Sequence, residues 1–439
     1  MGVSIKRRIP LLLLVVCLLI AASNLNTAQE QEKQQEIQEQ AIAVNIEVPV
    51  RVYDGNKFVD DLTIKDFVIY EDGKKQDIDA VYLIKERAIE RKESLEEKAP
   101  SEGEDLEKKF APEEQRHFVF VFELLEYLPQ INDVIDYFFQ NVMQASDAVR
   151  VLTPVSSYRL TPESLQSKTK DQMAESLKNI VKKDLRMGNA EYRHTIEELK
   201  RIVRALGMLI APKGSDVETM LDEYSSSLYS SSQREHIGLV IAAYQSAHDR
   251  LLNIRGVEQK KLIDFGEALK QMDGQKIVFI LYQREHIPQV SSRVMLQYSD
   301  LSQDDPAMYM SLANIMEFPS GDYAVDVKKI EQAYADSSIS AHFLFLTKLV
   351  ERNAFIDMQE FSSDVFNAFK TLADATGGTV DSSSSAEHLF EKAVEAKENY
   401  YLLYCTPKNY VADGKFKKIE VKVKGKKYRV THRAGYIAD

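Results

Sequence analysis

Cysteine is scarce in this sequence, since its 439 residues include only Cys17 and Cys405. Cys17 lies in an N-terminal segment that indicates an export signal, so the mature chain would keep Cys405 alone. A single cysteine cannot form an intramolecular disulfide or supply the cysteine pairs of a structural zinc site. We therefore expect no disulfide, and a fold that rests on its hydrophobic core with Cys405 as a buried thiol.

Enzyme signatures are missing as well. The sequence has no Gly-x-Ser-x-Gly turn, no Gly-Lys-Ser/Thr phosphate loop, no Gly-x-Gly-x-x-Gly turn and no His-Glu-x-x-His motif. The serine runs 225–232 and 382–385 are typical of flexible connectors. We predict that the protein is not an enzyme and uses no cofactor, with a hydrolase hidden in a helical segment as the lesser alternative.

Basic residues are in the minority, with 56 Lys and Arg against 68 Asp and Glu and a formal net charge of −12. Nucleic acids and anionic membrane surfaces attract basic proteins. This balance argues against both as main partners, and it leaves a protein partner as the expectation.

The N-terminus lacks an apolar run long enough for a membrane span. Lys6-Arg7-Arg8 precede an apolar stretch from Ile9 to Ala22, about 14 residues, whereas a spanning helix needs roughly 20. Residues 1–28 therefore indicate a signal peptide, and the protein is expected to be periplasmic or secreted. An uncleaved membrane anchor is the alternative. A polar Gln/Glu spacer follows at 29–40.

Alternating apolar and polar residues mark both flanks as antiparallel strands. Val44 to Val52 alternate strictly, with Pro49 suggesting a sheet edge, and the same pattern returns from Ile419 to Val423 before a turn into 427–432. We predict that 41–86 and 406–439 form two halves of one β-sandwich. The charge-rich segment 87–114 is predicted to be a solvated linker.

The middle of the chain begins with a run of five apolar residues, Phe118 to Phe122. Such a run is typical of a strand buried on both faces. Strands and helices then alternate to a last strand at Asn399–Cys405. This order predicts an α/β domain over 115–405, a doubly wound and mostly parallel sheet, with a helical insert at about 185–235.

The order of elements resembles a von Willebrand factor A domain. The resemblance is carried by the first buried strand, its acidic rim loop and helix, the strand at 147–155 and the strand at 274–282. The flanking segments 44–78 and 399–439 are similar to those of secreted bacterial proteins related to that domain, an acidobacterial-type family. Together these segments span nearly all of the expected mature chain.

The resemblance implies a metal site whose motif has decayed. Domains of this family hold magnesium or manganese on loops that carry Asp-x-Ser-x-Ser and Thr-Asp-Gly. Here the first window is Glu123-Leu124-Leu125-Glu126-Tyr127 and the other is Tyr282-Gln283-Arg284. Magnesium needs near-octahedral oxygen ligands at about 2.1 Å, which Leu125 cannot supply, and Arg284 opposes a cation. We expect no metal.

Function is expected at this rim, where the ends of parallel strands place ligands in α/β domains. Tyrosine and arginine favour a protein interface, although leucines that simply fill the vacated metal site explain the loop equally well. The predicted binding residues are Glu123, Leu125, Glu126, Tyr127, Tyr282, Gln283 and Arg284. We predict an exported, non-enzymatic protein-binding or scaffolding protein with a metal-independent A-like domain. The alternative is a metal-dependent adhesion module in which Glu123 and Glu126 use non-standard ligands.

Overall fold

A computed structural model describes residues 45–55, 57–86, 88–94, 116–160, 167–210, 233–255, 259–272, 274–292, 326–335, 339–348, 356–408 and 410–438. The predicted signal peptide and polar spacer lie outside these ranges. So do most of the predicted charged linker and the serine run 225–232.

Strands and helices are numbered in chain order through the described residues. The strands are β1 (Ile46–Asp54), β2 (Lys57–Phe58), β3 (Phe67–Glu71), β4 (Lys74–Gln76), β5 (Ala80–Lys85), β6 (Ala88–Ser94), β7 (Arg116–Glu123), β8 (Ala148–Leu152), β9 (Ser157–Leu160), β10 (Gln275–Gln283), β11 (His286–Val290), β12 (Ile339–Leu346), β13 (Ile356–Glu360), β14 (Val380–Ser383), β15 (Tyr400–Cys405), β16 (Phe416–Val423), β17 (Arg429–His432) and β18 (Gly435–Ile437). The helices are α1 (Ile131–Tyr137), α2 (Lys170–Gly188), α3 (Ala190–Ile210), α4 (Gln233–Arg255), α5 (Gln259–Lys270), α6 (Val327–Ala333), α7 (Ser363–Ala375) and α8 (Ala386–Glu398).

Six strands form the sheet that positions the site, in the order β14-β12-β10-β7-β8-β9. The pairs from β14 to β8 are parallel, whereas β9 runs antiparallel to β8. A tight turn joins β8 to β9, closed by the Thr153 N–H donating to the Ser156 carbonyl at 2.9 Å. Two strands joined by so short a turn run antiparallel. The sheet is therefore mixed.

Helices cover both faces of this mixed sheet because alternate residues of its strands point to opposite sides. Phe118, Phe120 and Phe122 pack with residues of α1, α2 and α8. Val119 lies on the other face, in a cluster with residues of α5, α6 and α7. The apolar run Phe118–Phe122 within β7 is thus distributed between two cores.

The predicted fold class, a doubly wound and mostly parallel sheet, is wrong. Among the described residues antiparallel pairing predominates, and the sheet around β7 is itself mixed. The run Asn399–Cys405, predicted as the last strand of the parallel series, contains β15, which pairs antiparallel with β1 and β5. A fully buried apolar run carries no information on strand direction, so the sequence pattern could not separate these cases.

The flanks supply two antiparallel sheets. One has the order β17-β1-β15-β5-β6, with β2 beside β1, and the other has the order β18-β16-β3-β4. Strands of the C-terminal flank pair with strands of the N-terminal flank, β17 with β1 and β16 with β3. The expected C-terminal hairpin is therefore divided between two sheets. Pro49 lies in an internal strand, but β1 pairs with β17 only from Val50 onward.

Part of the predicted linker is a strand. Ala88–Ser94 forms β6, which pairs antiparallel with β5 at the end of its sheet and is mostly exposed. Charged side chains are typical of edge strands, where they discourage further pairing. The charge density that suggested a linker over 87–114 is, in these seven residues, the charge of a sheet edge.

A buried arginine ties the flank sheet to two helix ends. Arg51 in β1 donates hydrogen bonds to the carbonyls of Gly377, just after α7, and Ala396, in the last turn of α8. Helix C-termini carry partial negative charge, which stabilises a cation placed against them. Gly377 has a φ of 67°, a left-handed conformation that glycine adopts at little cost.

A third core lies in the helical part of the chain. Residues of α3 and α4 pack with β11 and β13, which pair antiparallel with each other. By contrast, α2 contributes to the core of the mixed sheet. The helices of this third core and the end of the mixed sheet together form the walls of the site.

Candidate functional site

The two rim loops lie side by side, because β7 and β10 are adjacent parallel strands. Their register places Tyr282 opposite Glu123, so the loops that follow begin together. Two pockets open at this rim. Six of the seven predicted binding residues line one or both of them, and Tyr127 lines neither.

The first, which we name the apolar pocket, has a volume of about 420 Å³. It lies between the ends of β7 and β10 and the helices α3, α4, α5 and α7. Its apolar walls include Val121, Leu262, Phe265, Ile280, Val365 and Phe369. Glu123, Lys261, Arg255 and Glu285 bring charge to its lining.

Glu123 faces into the apolar pocket. The Glu123 side chain is exposed because it borders the open space of the pocket, yet enough protein surrounds the carboxyl that burial raises its pKa. The nearby Lys261 ammonium acts in the opposite direction and lowers the pKa. Among the described residues, the Glu123 carboxylate forms no hydrogen bond and no ion pair.

A buried ion pair forms the far wall of the apolar pocket. Arg255, at the end of α4, donates to the Glu285 carboxylate, and their side chains are 3% and 1% exposed. The Glu285 backbone N–H donates to Ser362 Oγ at 2.9 Å. Burial raises the pKa of the Tyr192 hydroxyl well above its usual value, and the charge and hydrogen bond of Glu285 raise it further.

The leucines of the first loop are divided between cores. Leu124 is buried in the core of the mixed sheet, and Leu125 packs against the helical core. Asn189, between α2 and α3, donates from Nδ2 to the Leu124 carbonyl at 2.6 Å. This bond fixes the loop to the joint of the two helices. Leu125 consequently forms part of the wall of both pockets.

The second, which we name the charged pocket, has a volume of about 430 Å³. Four cations line it, Arg193, Lys200, Arg284 and Lys348, against the two acids Glu126 and Glu197. His286 also lines it, and burial is the main cause that lowers its pKa, so this imidazole is neutral near pH 7. Three of these cations pair with acids, Lys348 with Glu126, Lys200 with Glu197 and Arg284 with Glu360, so the excess positive charge of the pocket rests on Arg193, in a protein of net charge −12.

Glu126 is held on the charged pocket by Gln283 and Lys348. The Gln283 amide accepts from the Glu126 backbone N–H at 3.3 Å and donates to its Oε1 at 3.1 Å. Lys348 Nζ lies 2.7 Å from the same carboxylate oxygen. Within the described residues, neither Glu123 nor Glu126 pairs with Arg284.

Arg284 pairs elsewhere. Its Nη1 donates to Glu360 at 3.1 Å, its Nη2 to Ser382 at 3.4 Å, and its guanidinium lies 4.9 Å from the Phe345 ring centre. The Arg284 backbone N–H donates to the Leu346 carbonyl at 2.7 Å. The backbone of Arg284 therefore continues the hydrogen bonding between β10 and β12 by one residue, and its side chain lies on the rim.

The two rim tyrosines are packing residues. Tyr282 is 7% exposed and stacks on Phe345 with ring centres 5.7 Å apart. Tyr127 packs against the core of the mixed sheet, and its hydroxyl donates to Asn132. An apolar residue at the end of a strand contributes to the core when a helix packs over that end. The sequence did not show that a helix packs there.

Sequence reasoning missed the residues that lie far from the rim loops in the chain. Tyr192, Arg193 and Lys200 come from α3, whose position over the rim was not foreseen. Lys348 offered a signal, since it follows β12 and the C-terminal ends of parallel strands meet at one edge. Glu285 and Arg255 offered no such signal in the sequence, because their ion pair joins elements that are separate in the chain.

The residues present do not fit the metal ion that the resemblance implies. Glu123 lines the apolar pocket and Glu126 the charged pocket, so the two carboxylates do not converge. Leu125 lies between them and supplies no oxygen. Within the described ranges, no three His, Cys, Asp or Glu side chains are grouped as a metal site would require.

Comparisons with protein-family models, curated proteins and solved structures find no significant match to the chain. The resemblance to von Willebrand factor A domains stays a prediction. Two further observations bear on partners. Cys405 is a buried free thiol, and none of the described helices combines the length and apolar character that a membrane span requires.

Proposed function

We propose that this protein is an exported, non-enzymatic binding or scaffolding protein that docks a protein partner at the charged pocket. The observation that carries the proposal is the local excess of cations on the rim of an acidic chain. A patch whose sign opposes the net charge attracts an oppositely charged partner and directs its orientation. The docking segment of the partner is accordingly acidic.

Preorganisation supports a docking role for this pocket. Glu126 is held by Gln283 and Lys348, and Arg284 by Glu360 and the Phe345 ring. Side chains already fixed in the free protein lose little conformational entropy when a partner binds. Arg193 is the cation best placed to contact a partner, because its guanidinium donates to the Arg186 carbonyl rather than to an acid.

The docking proposal is tested with two labelled peptides, hexaglutamate and hexalysine, by fluorescence anisotropy at low and physiological salt. Hexaglutamate should bind, and binding should weaken with salt. The double charge reversal Arg193→Glu with Lys348→Glu should weaken it about tenfold or more, as expected for lost charge-assisted contacts. The control reversal Lys418→Glu, at an exposed residue of β16, should not weaken it. Hexaglutamate binding that survives the double reversal contradicts docking at this pocket.

The native partner is sought by placing a photo-crosslinking amino acid at position 193 and, as the control, at position 418. A species captured only at position 193, and lost on the Lys348→Glu background, identifies a partner of the pocket. Equal capture at both positions argues against it.

Export is a separate part of the proposal, tested by mass and fractionation. The mature protein should lack roughly the first 22 to 28 residues, as a cleaved signal peptide requires, and should appear outside the cytoplasm. Recovery of the full-length chain in the membrane fraction alone would support the anchored alternative.

A further inference from the structure

The apolar pocket has features of a small-molecule site that the docking proposal does not use. Its volume of about 420 Å³ lies within the range of roughly 300–1,000 Å³ found for ligand pockets. Its walls are mainly aliphatic and aromatic, from Val121, Ile280, Leu262, Phe265, Val365 and Phe369. A few polar groups in an apolar pocket determine which ligand fits and in which orientation.

Glu123 is the polar group that lacks a partner. Within the described residues its carboxylate forms neither a hydrogen bond nor an ion pair, although it lies at the end of β7 among apolar walls. The exposed side chain keeps part of its hydration, but the apolar walls and surrounding protein remove the rest, and no described residue compensates the carboxylate by a hydrogen bond or ion pair. It therefore gains most from a ligand that carries positive charge and N–H donors.

The other charges of the pocket are already engaged. Arg255 and Glu285 neutralise each other in a buried pair. Lys261 is exposed on α5 and has interactions of its own, so its field on the pocket is partly screened by solvent. A ligand carboxylate would face the charge of Glu123, and a neutral apolar ligand would leave Glu123 unpaired.

We propose that the apolar pocket binds a small organic cation, an alkyl or arylalkyl ammonium, whose apolar body fills the pocket and whose ammonium group pairs with Glu123. Binding requires ionised Glu123, so the affinity rises with pH as this carboxyl, whose pKa is raised by burial, becomes charged. The inference does not depend on protein docking at the charged pocket.

The probe is benzylamine, a cation at neutral pH, compared with benzyl alcohol and benzoate. Binding is followed in ¹³C-methyl spectra of the full chain, where Val121, Ile280 and Leu372 report on the apolar pocket and Leu199 on the helical core. We expect shifts at the first three and an affinity for benzylamine about tenfold above that for benzyl alcohol, as a charge-assisted pair provides. Equal affinities, tighter benzoate, or shifts absent from the pocket methyls would overturn the proposal.

The variant that isolates the ion pair is Glu123→Gln. It should keep the affinity for benzyl alcohol and lose the preference for benzylamine, together with its pH dependence. Glu267→Gln on α5 makes the same charge change at a residue paired with Lys270 and outside the pocket, so it should keep both. A preference for benzylamine that persists in Glu123→Gln contradicts the proposal. Should Glu123→Gln fail to fold, the wild-type pH dependence and methyl shifts still decide the question.

Discussion

The two pockets of the rim differ in how they treat charge, although they share Leu125 and Tyr192 as wall residues. The apolar pocket contains a buried ion pair, Arg255–Glu285, and the isolated carboxylate of Glu123. The charged pocket has ion pairs that water reaches, with Lys348 and Glu126 side chains 45% and 40% exposed. Glu123, the last residue of β7, and Glu126, in the loop that follows, thus lie in environments where the same charge has different energetic consequences.

The difference shows that a rim can hold two sites of opposite character when one residue separates them. Leu125 packs against the helical core and prevents the acids on its two sides from converging. A side chain with an oxygen atom at this position would give the loop one more of the ligands that a metal site requires. The leucine instead separates a cavity suited to apolar ligands from a surface suited to charged partners.

The largest expected effect on stability comes from breaking the buried ion pair Arg255–Glu285. Arg255→Met leaves Glu285 buried without its cation, and the loss of one partner of a buried pair costs about 3–5 kcal/mol. The free energy of unfolding in urea measures this cost. The double variant Arg255→Met with Glu285→Met should recover most of it, because no lone charge is left behind. A single variant as stable as the wild type would mean that water reaches Glu285.

The second prediction concerns the helical core that both pockets share as a wall. Burial lowers the pKa of His248 to about 3, from about 6.5 when unfolded. The unfolded state therefore binds the proton more readily than the folded state. This histidine does not reduce the free energy of unfolding above about pH 6.5, but it does so increasingly as pH decreases towards 3, by up to about 1.4 kcal/mol per pH unit. His286 and His432, whose pKa values are also lowered, act in the same direction.

Urea unfolding between pH 4 and 8 measures this dependence. His248→Gln should flatten the profile, whereas His388→Gln, at an exposed residue, should leave it unchanged. Identical profiles in the wild type and His248→Gln would place the acid sensitivity elsewhere.

A third prediction compares the two acids of the loop directly. Glu126→Gln removes an exposed ion pair with Lys348 and should lower stability by less than about 1 kcal/mol. Glu123→Gln should raise stability at neutral pH, because burial disfavours the charged carboxylate. A carboxyl whose folded pKa is raised reduces stability as pH rises above its unfolded pKa, so this gain should vanish near pH 4. Thermal unfolding at pH 4 and pH 8 separates the two, and equal responses would refute the contrast.

The smallest expected effect is that of metal ions. A ligand that binds only the folded state at 100 times its Kd adds roughly 2.7 kcal/mol. Because Leu125 separates the two acids, millimolar magnesium, manganese or calcium should leave the melting temperature unchanged, as should a chelator. Leu125→Ser with Tyr127→Ser should not create binding, since Gln283 and Arg284 still occupy the loop where the resemblance implies Thr-Asp-Gly and its carboxylate. A rise of several degrees in the unmodified protein would support Glu123 and Glu126 as ligands.

The sequence alone determined several local features. The apolar run Phe118–Phe122 indicated a strand buried on both faces, and β7 packs into a core on each side. Alternation over Val44–Val52 indicated a strand, and β1 covers this run from Ile46 onward. These features follow from the period of side chains along a strand, which is visible in the sequence without a partner.

Strand direction and the membership of sheets were decided by tertiary structure. Tyr400–Cys405 is equally apolar whether its neighbours are parallel or antiparallel, and it pairs antiparallel with β1 and β5. Ala88–Ser94 has the charge of a linker but the pairing of an edge strand. Both outcomes depend on which surface lies beside the segment, and that information is distributed over distant parts of the chain.

The candidate site shows the same division. The sequence identified the rim loops, because they follow buried strands, and most of their predicted residues line a pocket. It could not show that α3 and α4 lie against this rim, that Tyr282 is consequently buried, or that Arg255 reaches Glu285. Ion pairs and burial at a loop are set by the elements packed against it, so only the folded chain separates Glu123 from Glu126.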